Sequence, residues 1–322
     1  NFIADHRHDG EILDHSQSRF YTQEEINKQQ WKGVWIEDFL HYCEKENLPV
    51  DFISTHPYPT DYALDPETGR GKGAIRYVHS LKDDIQWLRQ QLADSKYPEA
   101  EIHLTEWSTG PNSRDRMHDI LPPAAYIIKT NLDCIGLANS LMYWYFTDVL
   151  KKRRGEEIFH GGFGMINFQG LVKPSFHAYR MLNQLGDEKI YYKDPLFISR
   201  SSKTGKLSAI AFNYPKEYEQ TVPSMQNFTN YMNASSKTLD IVLEGLNPNA
   251  CFEIEVLDKM HGNVYDAYLN MGAPHSPNIR EIEFLRQKAW DTVKEIVKVD
   301  EDGRLILKRD IDPWSCILIR EL

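Results

Sequence analysis

The segment Glu101-Ile102-His103-Leu104-Thr105-Glu106-Trp107-Ser108 is an apolar alternation that closes on a carboxylate set among a tryptophan and hydroxyl side chains. A carboxylate in such a setting can attack carbon as a nucleophile, provided hydrogen-bond donors hold its charged form. Glu106 is therefore the candidate nucleophile. Upstream, Val50-Asp51-Phe52-Ile53-Ser54-Thr55-His56-Pro57-Tyr58-Pro59 repeats the pattern, an apolar run ending in a histidine and a tyrosine. Downstream, Ser140-Leu141-Met142-Tyr143-Trp144-Tyr145-Phe146-Thr147-Asp148 repeats it again. His56, Tyr58 and Tyr143 are the candidate donors to Glu106.

These runs must be strands separated by helices. Between the first two lies a stripe of Val78, Leu81, Ile85, Leu88 and Leu92 at helical spacing, reached through a loop holding Gly69, Gly71 and Gly73. Those glycines match no phosphate-binding fingerprint and are read as a flexible loop. A helix near 116–135 follows the second run, interrupted early by Pro122-Pro123, and one from about Pro174 to Gln184 follows the third. Thr22 and Glu24-Glu25 open an earlier helix whose stripe includes Trp31, Trp35, Phe39 and Tyr42. Strand, functional strand end, helix, repeated in that order, is the pattern of a β/α barrel.

Beyond about residue 187 the period changes. Short strands are expected at 206–212, 239–243, 252–256, 305–307 and 316–319, and the alternation of Phe252, Ile254 and Val256 with Glu253 and Glu255 marks one wet face. A helical insertion spans 277–297, with Ser276 as cap and Pro277 in its first position. The expected organisation is a catalytic β/α domain over 1–186 and a β-sandwich over 187–322.

Composition excludes several classes. A formal charge of -10 argues against a nucleic-acid partner, and the basic run Lys151-Lys152-Arg153-Arg154 is too short to reverse that. No stretch approaches ~18 consecutive apolar residues, so no membrane-spanning helix is expected. Cys43, Cys134, Cys251 and Cys316 show no metal or redox spacing and are read as buried free thiols. His6, His8 and His15 alternate with acidic residues, but nothing places them on one face, so a solvated loop is expected there and no metal. The triplets starting at Asn227 and Asn233 fit a glycosylation pattern and are assigned no function. The chain opens on Asn1 without signal-peptide character, as a processed chain or a piece of a longer one would.

Four strand-end motifs, Ser54-Thr55-His56-Pro57-Tyr58, Leu104-Thr105-Glu106-Trp107-Ser108, Tyr143-Trp144-Tyr145-Phe146-Thr147-Asp148 and Phe159-His160-Gly161-Gly162-Phe163-Gly164, in this order, resemble family 39 of the glycoside hydrolases. That family contains β-xylosidases and α-L-iduronidases. The resemblance runs from about residue 31 through Lys173-Pro174-Ser175-Phe176 to the terminus. It implies a (β/α)8 barrel with an accessory β-sandwich, and hydrolysis with retention through a covalent glycosyl-enzyme. It places Glu106 as nucleophile at the end of the seventh barrel strand, His56, Tyr58 and Trp144 against the sugar, and His160 and Phe163 on a loop over it.

One departure is large. The family's acid/base is the Glu of an Asn-Glu-Pro segment, and these 322 residues contain none. The expectation is thus a C-terminal portion holding barrel strands six to eight plus the sandwich, inactive alone, whose exposed strand faces call for an N-terminal barrel half or self-association. A second departure is the run Lys151-Lys152-Arg153-Arg154 after Asp148-Val149-Leu150, which opens the alternative of a uronide substrate. A non-catalytic carbohydrate-binding module is the alternative outside enzymes. No cofactor is called for, since two carboxylates suffice.

Overall fold

The computed structural model describes residues 35–64, 71–150, 157–224, 231 and 233–322. His6, His8, His15, the helix start at Thr22, Gly69, Lys151 to Arg154 and the triplet at Asn227 lie outside the described residues. Two compact units emerge. One gathers the described residues through Pro111 with Asp133–Tyr145 and Gln220–Val222; the other gathers Asn112–Leu132, Phe146–Glu219 and Pro223–Leu322.

In the first unit three strands, β1 (Phe52–Thr55), β4 (Glu101–Trp107) and β5 (Ser140–Tyr143), form a parallel sheet in the order β1-β4-β5. Parallel neighbours need a crossover, and between β1 and β4 it contains helix α2 (Ser80–Ala93). Ile85, Leu88 and Leu92 of α2 bury against Ile53, Ile102 and Leu104 of the sheet and Ile36 and Leu40 of helix α1 (Trp35–Lys45). The stripe read from the sequence is thus the buried one. The opposite sheet face is open: Phe52 and Met142 are exposed, and Ser54 with them. Instead of a flexible glycine loop, the chain forms a hairpin of β2 (Thr60–Leu64) and β3 (Gly71–Ile75), with Gly71 and Gly73 inside the second strand. Beneath it Arg76 meets Asp84 through two bonds of 2.7 Å, both side chains buried.

Helix α3 (Pro122–Asp133) begins at Pro122-Pro123 instead of being interrupted there, because a first turn has no use for those N–H groups. Helix α4 (Pro174–Leu182) also starts on proline. In the second unit six strands, β6 (Glu188–Lys193), β7 (Leu196–Arg200), β8 (Leu207–Phe212), β10 (Cys251–Leu257), β11 (Val293–Lys298) and β13 (Cys316–Glu321), form an antiparallel sheet in the order β11-β10-β13-β8-β7-β6. Strands β9 (Lys237–Leu243) and β12 (Leu305–Ile311) form a ribbon. Leu239, Ile241, Leu305 and Leu307 of the ribbon share one apolar layer with Ala209, Phe252, Ile254, Ile317 and Ile319 of the sheet.

Two short helices interrupt the strands, α5 (Val264–Asn270) and α6 (Ile279–Trp290). The expected helix over 277–297 is shorter at both ends. Asn278, not Ser276, caps it in a reciprocal box with Glu281, and Val293–Lys298 pairs with β10. Glu255, expected on a wet face, is buried: Arg180 grips it at 2.6 and 3.0 Å and Thr292 donates at 2.5 Å. Ile158, Phe159, Leu171 and Val172 pack with Val264, Tyr268, Leu285 and Ala289, which is why the units do not divide at residue 186.

The four cysteines are free, three buried and Cys251 half-buried; burial pushes the Cys134 thiol up to about 12, leaving it inert. Among the described residues no cluster of three His, Cys, Asp or Glu side chains suits a metal, and no helix is long and apolar enough to cross a membrane.

Candidate active site

Strand alternation alone would bury Glu106, since Ile102 and Leu104 of the same strand face the core. The ladder to β5 breaks its register between Leu104 and Trp107, where three steps on β4 answer two on β5. Thr105 lies on the half-open side by alternation; the bulge turns Glu106, its neighbour in sequence, to the same side, and Trp107 returns to the core. The Trp107 carbonyl then accepts the Trp144 N–H at 2.7 Å, restoring the pairing.

The strand ends bring three of the expected residues together. Tyr58 Oη donates to Glu106 Oε1 at 2.5 Å, a charge-assisted geometry. His56 Nδ1 lies 3.8 Å from Glu106 Oε2, with the histidine side chain 53% and the glutamate 21% exposed. Glu106 is thus reachable from solvent, bonded at Oε1 and approached by an imidazole at Oε2. Behind His56, its Nε2 is 3.0 Å from Thr105 Oγ1, and that oxygen is 2.7 Å from Ser54 Oγ. Trp144 stands half-open at the end of β5, edge to face with Tyr145 across a cis peptide bond. Tyr143 lies edge to face with the buried Trp107 at 5.5 Å and accepts from Ser108 Oγ at 3.5 Å.

An anionic oxygen pair, a phenol donor, an imidazole and an open indole on adjacent parallel strand ends can receive a polyol and offer a carboxylate to its carbon. The sequence profile of the glycosyl hydrolases family 39 matches residues 31–306. The chain belongs to that family. It is 30% identical over 90% of its length to a β-xylosidase of Caldicellulosiruptor saccharolyticus and 27% identical over 78% to one of Geobacillus stearothermophilus. It spans 54% and 48% of these relatives, about half their length. Its fold is similar to part of a monomeric β-xylosidase from Caulobacter crescentus CB15 (TM-score 0.76, 24% identity, 93% of this chain and 64% of that one). It is likewise similar to part of a family-39 enzyme from Xanthomonas axonopodis pv. citri (TM-score 0.76, 23% identity, 89% and 57%).

The remaining expected residues of this family-39 chain, His160 and Phe163, belong to the other unit. There Phe163 is buried with its ring 4.8 Å from that of His118, and His160 Nδ1 lies 3.3 Å from the Glu157 carbonyl. The Gly161-Gly162-Phe163-Gly164 motif has a packing cause. Gly161 N–H donates to Asp119 at 2.6 Å and Gly164 N–H to Asp148 at 2.7 Å, and a Cβ on Gly162 would collide with the Asp148 carboxylate. Lys173, fully buried, joins Asp119 at 2.7 Å, Asp148 at 3.0 Å and the Gly162 carbonyl at 2.9 Å. Burial alone would lower the Lys173 pKa, but the two carboxylates raise it, so the ammonium stays charged. Asp148, which follows the third functional strand end in sequence, is therefore a structural carboxylate.

Ser54 and Thr105 escaped the sequence reading. Ser54 shares a strand face with His56 by simple alternation, and Thr105 shares one with His103 in the same way; only Glu106 joins them through the bulge, which no residue type announces.

Proposed function

We propose that this chain supplies the nucleophile side of a retaining glycoside hydrolase acting on xylosides or related sugars, with Glu106 as nucleophile. The observation that carries the reading is the short Tyr58 bond to Glu106 with His56 against its second oxygen. The named β-xylosidase relatives support the choice of sugar.

In this reaction the Glu106 carboxylate attacks the anomeric carbon, forming a carbon–oxygen ester bond as the glycosidic bond breaks. The leaving oxygen takes a proton from a second carboxyl group about 5 Å away, and water, deprotonated by that same group, then releases the sugar. Tyr58 keeps the attacking oxygens aligned, and His56 and Trp144 border the sugar. Glu106, Tyr58 and His56 need no cofactor for these steps.

The second carboxyl group is the part this sequence does not offer in its family form, lacking an Asn-Glu-Pro segment. In this reading β1, β4 and β5 are strands six to eight of a barrel, and the antiparallel sheets form the accessory sandwich. An N-terminal barrel half, on the same polypeptide or another copy, covers the open sheet face and brings the acid. The test compares the 322-residue chain alone with the whole polypeptide its gene encodes, on unactivated xylosides and on uronides. Turnover confined to the whole polypeptide, with xylosides preferred, is expected. Full turnover by the chain alone would overturn the missing-acid reading, and a preference for uronides would overturn the substrate.

A further inference from the structure

The hydroxyls behind His56 have a job of their own, one that deepens the proposed function and rests on it. Ser54 Oγ, Thr105 Oγ1 and His56 Nε2 form a line at 2.7 and 3.0 Å, and the far ring nitrogen, Nδ1, lies 3.8 Å from Glu106 Oε2, in ion-pair range and just beyond a hydrogen bond. Each hydroxyl carries one proton, so the line has a direction. If Nε2 carried the ring proton and donated to Thr105, the bare, electron-rich Nδ1 would stand 3.8 Å from the glutamate oxygen, an unfavourable pairing of a lone pair with a carboxylate. If Thr105 donates to Nε2 and Ser54 donates to Thr105, the ring proton sits on Nδ1 and points at the carboxylate.

We infer that Ser54 and Thr105 are positioning residues that donate in sequence toward His56 Nε2 and so fix the neutral ring as its Nδ1–H tautomer, aimed at Glu106. In water the Nε2–H tautomer is the commoner one, so the hydroxyl line selects against the default. Thr105 is suited to the task because its branched side chain is stiff, alternation on β4 sets it beside His56, and the bulge brings Glu106 to the same side. Thr105 touches no substrate in this scheme; it acts through His56.

Nitrogen-15 NMR of the whole polypeptide with ring-labelled histidines at alkaline pH reads the tautomer directly, with the His56 signals assigned by their loss in His56→Gln. The expected spectrum has the protonated nitrogen at Nδ1. Thr105→Ser keeps that pattern and Thr105→Val shifts the ring toward Nε2–H. In the whole polypeptide Thr105→Val is expected to lower kcat roughly tenfold, the loss of about one hydrogen bond, with KM little changed, and Thr105→Ser to restore it. A dominant Nε2–H ring in the unsubstituted chain, or a tautomer indifferent to Thr105→Val, overturns the inference. Because the spectrum needs no turnover, it stands or falls separately from the glycosidase reading.

Discussion

Glu106 and its neighbours divide the work between charge and aim. Tyr58 is itself nearly buried, so its phenol is held rigidly and its bond to Glu106 costs little further ordering. Replacing Tyr58 by Phe removes that donor and keeps the ring; in the whole polypeptide kcat is expected to fall roughly ten- to a hundredfold, the worth of a hydrogen bond to a charged group. Steady-state kinetics on an aryl xyloside check this, and an unchanged kcat would show that the phenol is idle. The coming together of Glu106, His56 and Tyr58 was legible because polar and aromatic side chains at the ends of apolar runs have few structural reasons to be there. Ser54 and Thr105 were not, since hydroxyls are ordinary in strands and only their three-dimensional line distinguishes them.

Elements show where local rules prevail and where tertiary contacts override them. Helix α2 was legible over its whole stripe because Leu81, Ile85, Leu88 and Leu92 all bury. The end of α6 was not: the apolar spacing runs on through Val293, but pairing with β10 satisfies a full ladder of backbone groups and takes residues 293–298 as a strand. The loop over 157–164 was legible as a motif, but the packing its glycines serve, the close approach of Asp148 and Asp119, was not. That polar knot gives an element-scale expectation. Lys173→Met leaves two buried carboxylates without their cation and should destabilise the fold by about 3–5 kcal/mol, as breaking a buried pair does. Chemical denaturation checks the size, and a loss under about 1 kcal/mol would show that the knot is solvated in solution. Lys173→Met with Asp119→Asn should recover part of the loss.

The molecule as a whole carries an acid sensitivity in its buried histidines. His177 donates from Nε2 to the Ala289 carbonyl at 2.6 Å and accepts at Nδ1 from Arg180, and burial lowers its pKa to about 4, with Arg180 adding to the effect. His118 is lowered too, chiefly by burial. The unfolded chain binds these protons near pH 6.5, so the folded state holds its full stability above that pH and loses it as pH falls toward 4. For His177 alone the loss amounts to about 3 kcal/mol. Denaturation series from pH 7 to pH 4 should show it, and His177→Gln should flatten the slope. At this scale the alternation of strand and helix followed by short strands was legible, whereas the division into units was not, because buried polar bonds and the cluster around Phe159 leave no mark in composition.

Bond formation between Glu106 and the anomeric carbon is the step on which the proposed chemistry turns. It is measured by incubating the whole polypeptide with a 2-fluoro xyloside bearing a good leaving group, digesting it, and locating the adduct by mass spectrometry. One fluoroxylosyl group is expected, on the peptide containing Leu104-Thr105-Glu106-Trp107 and on Glu106 itself. An adduct on another carboxylate, or hydrolysis that proceeds with Glu106 unmodified, would contradict it.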